Sequence, residues 1–109
     1  MSTKITTATS SNATGTITVR ATAHGLPVAV KLDRSEYQYG ARAIAAEVLR
    51  LTHRSAIAAA AKLREQHHAA GMPDSALAHL DLPTRAEAIA ALDAIDDADT
   101  TPVRWGRPL

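Results

Sequence analysis

Arg42, Arg50, Arg54 and Arg64 fall on one arc when residues 40–70 are projected as a helix at about 100° per residue. His53 joins them, Glu47 is the one carboxylate among them, and Ile57 interrupts the arc. Four guanidiniums on one face form either a solvated surface or a dock for an anion or an acidic protein segment. A second charged group, Asp93, Asp96, Asp97 and Asp99, lies near the C-terminal end of the chain with no histidine nearby in sequence. Exposed carboxylates of this kind are poor general acids or bases, because that work needs a pKa displaced by burial. The chain has no cysteine, so thiol chemistry, disulfides and thiolate metal sites are excluded, and no serine sits in a Gly-x-Ser-x-Gly setting. His67 and His68 are adjacent, hence about 100° apart on a helix, and no His-x-x-x-His spacing aims two imidazoles at one metal. The five glycines are scattered singly, without a phosphate-cradling loop. No catalytic, metal-binding or cofactor-binding residue is assigned.

Bulk composition bounds what these charges can do. The 109 residues make one domain, 1–109. Ile, Leu and Val total 21, phenylalanine is absent, and alanine numbers 24. Alanine fills helices while adding little buried area, so the core is thin, and a second copy of the chain is the expected way to complete it. The net charge of +1 conceals an asymmetry: residues 1–64 hold nine Lys/Arg against three Asp/Glu, and residues 65–109 hold three against eight. No apolar run approaches the length of a membrane span or follows a basic start, so a cytoplasmic protein is expected. The excess of arginine over lysine, nine to three, together with the alanine content, points to a GC-rich bacterial genome.

The elements that must position these groups are legible from periodicity. Residues 1–14 are Ser/Thr-rich and read as a flexible segment or an edge strand over Lys4–Thr9. Residues 15–33 read as a β-hairpin about a two-residue turn at His24-Gly25. Ile17, Val19, Ala21 and Ala23 share one face of the first strand, and Leu26, Val28, Val30 and Leu32 form the buried face of the second. Pro27 has no N–H and must lie at an edge or a break in the ladder. A polar connection with two tyrosines leads to Gly40 as N-cap. A long helix follows over 40–70, ended by Gly71 and Pro73. Its sheet-facing stripe is Ile44, Val48, Leu51, Ala58 and Ala59, widened by Leu49 and Leu63. "PDSALAHL" reads as a short helical turn. Thr84-x-x-Glu87 is a capping box that opens a short acidic helix over 84–97, with Ala88, Ile89, Leu92 and Ile95 as its apolar face. The aspartates at its C-terminal end oppose the helix dipole, so it should fray unless a cationic surface receives it. Residues 100–109 form a tail with Arg104, Trp105 and Arg107. Trp105 either folds back onto the core or anchors a partner.

"GTITVRATAHGLPVAVKLD", followed by a polar linker and "ARAIAAEVLRLTHRSAIAAAAKLREQ", resembles the YbaB/EbfC family over Gly15–Gln66. The resemblance implies an α+β fold: a small antiparallel sheet of two to three strands packed on one long helix, assembled as a dimer, with DNA bound at little sequence preference in several members. Where the family carries a long helix ahead of the sheet, residues 1–14 here are Ser/Thr-rich. "IAAEVLRLTHRSAIAAA" and "LPTRAEAIAALDAI" are similar to a subgroup that accompanies type VII (ESX) secretion systems. That likeness implies an accessory or chaperone-like role and carries over no catalytic or ligand residue.

The expectation is therefore a non-enzymatic, YbaB-like homodimer whose arginine face, Arg42, Arg50, Arg54 and Arg64, meets an acidic partner segment or the chain's own acidic helix. The tail residues Arg104, Trp105 and Arg107 form a possible docking segment. The alternative is a nucleoid-associated protein, in which the same arginines join Arg20 and Lys31 as phosphate contacts. Neither a membrane nor a small-molecule substrate is expected.

Overall fold

The computed structural model describes residues 5–100. The order of elements is β1 (Thr7–Ser11), β2 (Ile17–Thr22), β3 (Pro27–Leu32), a 3-10 turn (Arg34–Tyr39), α1 (Ala41–Ala69), α2 (Asp74–Leu77), a second 3-10 turn (Ala78–Leu80) and α3 (Arg85–Thr100). The strands form one antiparallel sheet in the order β1-β2-β3. The fold is thus α+β, with the sheet packed on one long helix and a further helix at the C-terminal end.

Strand β2 is the centre of the sheet and of the core. Its alternation puts Ile17, Val19 and Ala21 toward α1, where they are fully buried, and Arg20 on the opposite face. Ile17 and Val19 pack against Leu51, with Leu32 and Val48 closing around them. Ser55, one turn on from Leu51, is also fully buried, and its hydroxyl donates to the Val19 carbonyl at 2.9 Å. A serine in that position gives the helix a close seat on the strand and leaves no polar atom unsatisfied.

The hairpin differs from a two-residue turn. The Thr22 carbonyl accepts from the Gly25 N–H, and the Leu26 carbonyl accepts from the Thr22 N–H, so Ala23 and His24 form the turn and Gly25 closes it at φ +87°. His24 needs no positive φ, because Gly25 supplies it. The Thr22 hydroxyl accepts from the backbone of His24 and Leu26, holding the loop from inside. The register shifts between Arg20 and Ala21, opposite Pro27, where the missing N–H falls on a break in the ladder.

The expected burial of Leu26, Val28 and Val30 is not found. Helix α1 lies over β1 and β2, and on β3 only Leu32 is half-covered; Val28 and Val30 are 44% and 50% exposed. The cause is width. Strands lie about 4.8 Å apart, and a helix with its side chains is about 10 Å across, so one helix covers about two strands. Leu49, expected to widen the buried stripe, is 70% exposed.

Other boundaries follow local chemistry. The edge strand β1 begins at Thr7, later than the expected Lys4, a residue outside those described. The Asp33 carboxylate accepts from the Ser35 N–H at 2.8 Å and opens the first 3-10 turn; that bond, then one from the Ser35 hydroxyl, holds its pKa below the ordinary carboxylate value. Helix α1 stops where Gly71 and Met72 donate to the His68 and His67 carbonyls, a Schellman end that Gly71 permits at φ +100°. The capping box forms as its spacing requires, with Thr84 N–H on Glu87 Oε1 and Glu87 N–H on the Thr84 hydroxyl.

Candidate partner-binding surface

The arginines of α1 divide between two environments. Arg50 and Arg54, one turn apart, line the flank of α1 that receives α3. Arg50 holds Glu47 through two bonds, Nε to Oε1 at 3.0 Å and Nη2 to Oε2 at 2.6 Å, the fork geometry that suits guanidinium and carboxylate. Its Nη1 also donates to Asp96 Oδ1 at 3.2 Å, and Arg54 Nη1 donates to that same oxygen at 2.6 Å. One carboxylate oxygen on α3 thus sits between two guanidiniums on α1. Farther along, Arg64 Nη1 caps the Leu82 carbonyl at 2.9 Å, just before α3 starts. These contacts run α3 antiparallel to α1.

Asp96 therefore answers the instability expected of an acidic helix end. Negative charge at the C-terminus of α3 opposes its dipole, and the guanidiniums of Arg50 and Arg54 offset it. Partly exposed ion pairs contribute about 0–1 kcal/mol each. The clamp accordingly orients α3 more than it stabilises it. Glu47 and Asp96 together balance Arg50 and Arg54, so the face that reads as basic in the sequence is close to neutral in this part of the fold.

Arg42 and His53 do not join that cluster. Both are exposed; Arg42 borders a groove of about 390 Å³ with Tyr39, Ala43 and Ala46, and His53 lies beside Gly25, Leu49, Thr52 and Ala56. Arg20 and Lys31 lie elsewhere again. They share the outer face of the sheet, away from α1, where Arg20 pairs with Thr9 and Ala29, and Lys31 pairs with Thr18. The six cations do not form one continuous surface on a single chain. Arg104, Trp105 and Arg107 lie outside the described residues.

A second surface, apolar, was hidden from sequence reasoning. Val28 and Val30 of β3 stand open on the side of the sheet that α1 covers elsewhere. Leu49, also exposed, lines a separate groove of about 240 Å³ with Gly25, Thr52, His53 and Ala56. Strand β3 pairs with β2 alone and ends the sheet, so its outer edge keeps an unpaired ladder among the described residues. The signal for this surface was length: a three-stranded sheet with a single long helix has one strand too many to cover.

Among the described residues, no three His, Asp or Glu side chains come together as metal ligands, and no helix is long and apolar enough to cross a membrane. No protein-family model, curated protein or solved structure matches this chain.

Proposed function

We propose that this chain is a non-enzymatic, YbaB-like binding protein that works as a homodimer in the cytoplasm, as an accessory or chaperone-like protein of type VII secretion. The observation that carries the binding and dimer parts of this reading is the open apolar pair Val28 and Val30 on β3, beside the free edge of that strand. That surface is continuous with the core, since Val30 is the cross-strand partner of buried Val19 and Leu32 packs on the same cluster. A second copy brings the same residues in self-complementary form, as a two-fold interface requires. The secretion assignment rests on the resemblance of the long helix and of "LPTRAEAIAALDAI" to that subgroup.

Sedimentation equilibrium tests the dimer. The expected mass is twice the 11.5 kDa of the chain, and Val30→Glu or Val28→Glu is expected to weaken association by at least about 30-fold, as for an interface anchor. A wild-type mass of one chain at all concentrations would remove the homodimer.

The second reading is DNA binding, and the outer face of the sheet favours it. The three strands contain no carboxylate, and that face presents Arg20 and Lys31 amid threonines. Fluorescence anisotropy with a mixed-sequence duplex checks it across a salt series. Arg20→Ala/Lys31→Ala is expected to lower affinity on all sequences and reduce the salt slope by about 2. An unchanged slope would remove these residues as phosphate contacts.

A further inference from the structure

We propose that the flank of α1 bearing Arg50, Arg54 and Arg64 is a receptor surface for an acidic, alanine-rich helix of a partner protein, and that α3 is its resident internal ligand. This inference rests on reading the chain as a binding protein and goes beyond it, by naming the surface and the chemistry of the helix it accepts.

Three observations lead there. The surface already displays what it recognises: one helix-borne carboxylate oxygen, shared by two guanidiniums at 3.2 and 2.6 Å, with Glu47 fixing Arg50 in place. Recognition by a fork of donors needs a carboxylate at a set height on the docking helix, and any helix with an acid at the position of Asp96 can provide it. The resident helix is loosely seated. From Arg85 to Asp97 only Ala88 is fully buried; Leu92 and Ile95 are half-covered, Ile89 is exposed, and the Asp96 side chain keeps 47% of its exposure.

The connection also supplies a place for α3 to hinge. Leu77 of α2 is fully buried before the connection and lines a groove with Arg64 of α1 and with Thr84 and Arg85 at the start of α3. Asp81 turns the chain through the left-handed region at φ 56°, and Pro83 precedes the capping box. Release of α3 beyond Asp81 breaks the Arg64–Leu82 contact and the Asp96 clamp. An incoming acidic helix replaces both sets of contacts. Its apparent affinity is lowered by the fraction of time α3 occupies the site.

The proposal is tested with the full chain and a fluorescein-labelled peptide of segment 82–97, by anisotropy at low salt. Wild type is expected to bind the peptide weakly, since α3 competes, and Asp96→Asn in the chain to bind it about tenfold more tightly. Arg50→Glu/Arg54→Glu in the chain is expected to abolish binding, and Asp96→Asn in the peptide to weaken it about tenfold. Equal binding by wild type and Asp96→Asn would overturn the internal-ligand assignment, and retained binding by the double arginine variant would overturn the receptor surface. The peptide variant leaves the protein untouched, so the result does not depend on any variant's folding. A mixed-sequence DNA duplex is titrated in parallel; a gain for DNA alone on Asp96→Asn would overturn the acidic-helix ligand in favour of a general polyanion. The dimer is read separately by mass, so a monomeric chain that still binds the peptide would count against the homodimer and for this surface.

Discussion

Leu51→Ala is expected to remove about 2–5 kcal/mol of stability, the largest loss of any single truncation in this fold. Leu51 is fully buried and is the one large side chain that α1 sends into the centre of the cluster with Ile17 and Val19. Of the eight fully buried apolar residues among those described, four are alanines. No neighbouring bulk stands ready to fill the space a leucine leaves, and a cavity that cannot collapse carries the full cost. Domains of this size hold a margin of about 5–15 kcal/mol, so the variant is expected to lose a large share of it and to unfold at a clearly lower urea concentration. Urea titration followed by circular dichroism measures it. Leu49→Ala is the comparison, two residues away in sequence: at concentrations that keep the chain monomeric it should change stability by less than about 0.5 kcal/mol, because Leu49 is 70% exposed. Similar losses at the two positions would mean that the helix is seated on a different face.

Ser55→Leu is the second large effect, and its sign runs against simple hydrophobicity. The substitution adds apolar volume at a fully buried position, yet it is expected to destabilise by roughly 2–4 kcal/mol. About 1–3 of that comes from forcing a larger side chain between α1 and β2, and about 1 from the lost bond to the Val19 carbonyl. Ser55→Ala separates the two contributions, since it removes the hydroxyl without adding bulk, and it is expected to cost only about 1 kcal/mol. Thermal unfolding of the two variants beside wild type gives the ordering. A Ser55→Leu chain as stable as wild type would show that the helix and strand can move apart freely, and the close seat argued from Ser55 would not hold.

The candidate surfaces were legible to different depths. The arginine arc followed from spacing along one helix, a local property, and the need of the acidic helix for a cationic surface followed from the dipole. That Asp96 in particular meets Arg50 and Arg54 was beyond reach, since it depends on the antiparallel docking of α3 and on the 3-10 turn and left-handed Asp81 that aim it. The separation of Arg20 and Lys31 from the helix arginines was likewise set by which sheet face α1 chose.

By itself the sequence determined several local decisions in the described part of this protein. Alternation in Ile17–Thr22 made a strand with one apolar face, Gly71 and Met72 gave α1 its stop, Thr84 and Glu87 gave α3 its start, and Gly25 closed the hairpin. These outcomes are encoded within a few residues of one another, in φ preference, capping and periodicity. Only the tertiary structure decided which apolar faces would find cover. Val28, Val30 and Leu49 carry the same pattern as the buried Ile17, Val19 and Leu51, and they stay open. A repeat along the chain reports which way a side chain points, whereas burial depends on the width of what lies opposite, and one helix is two strands wide.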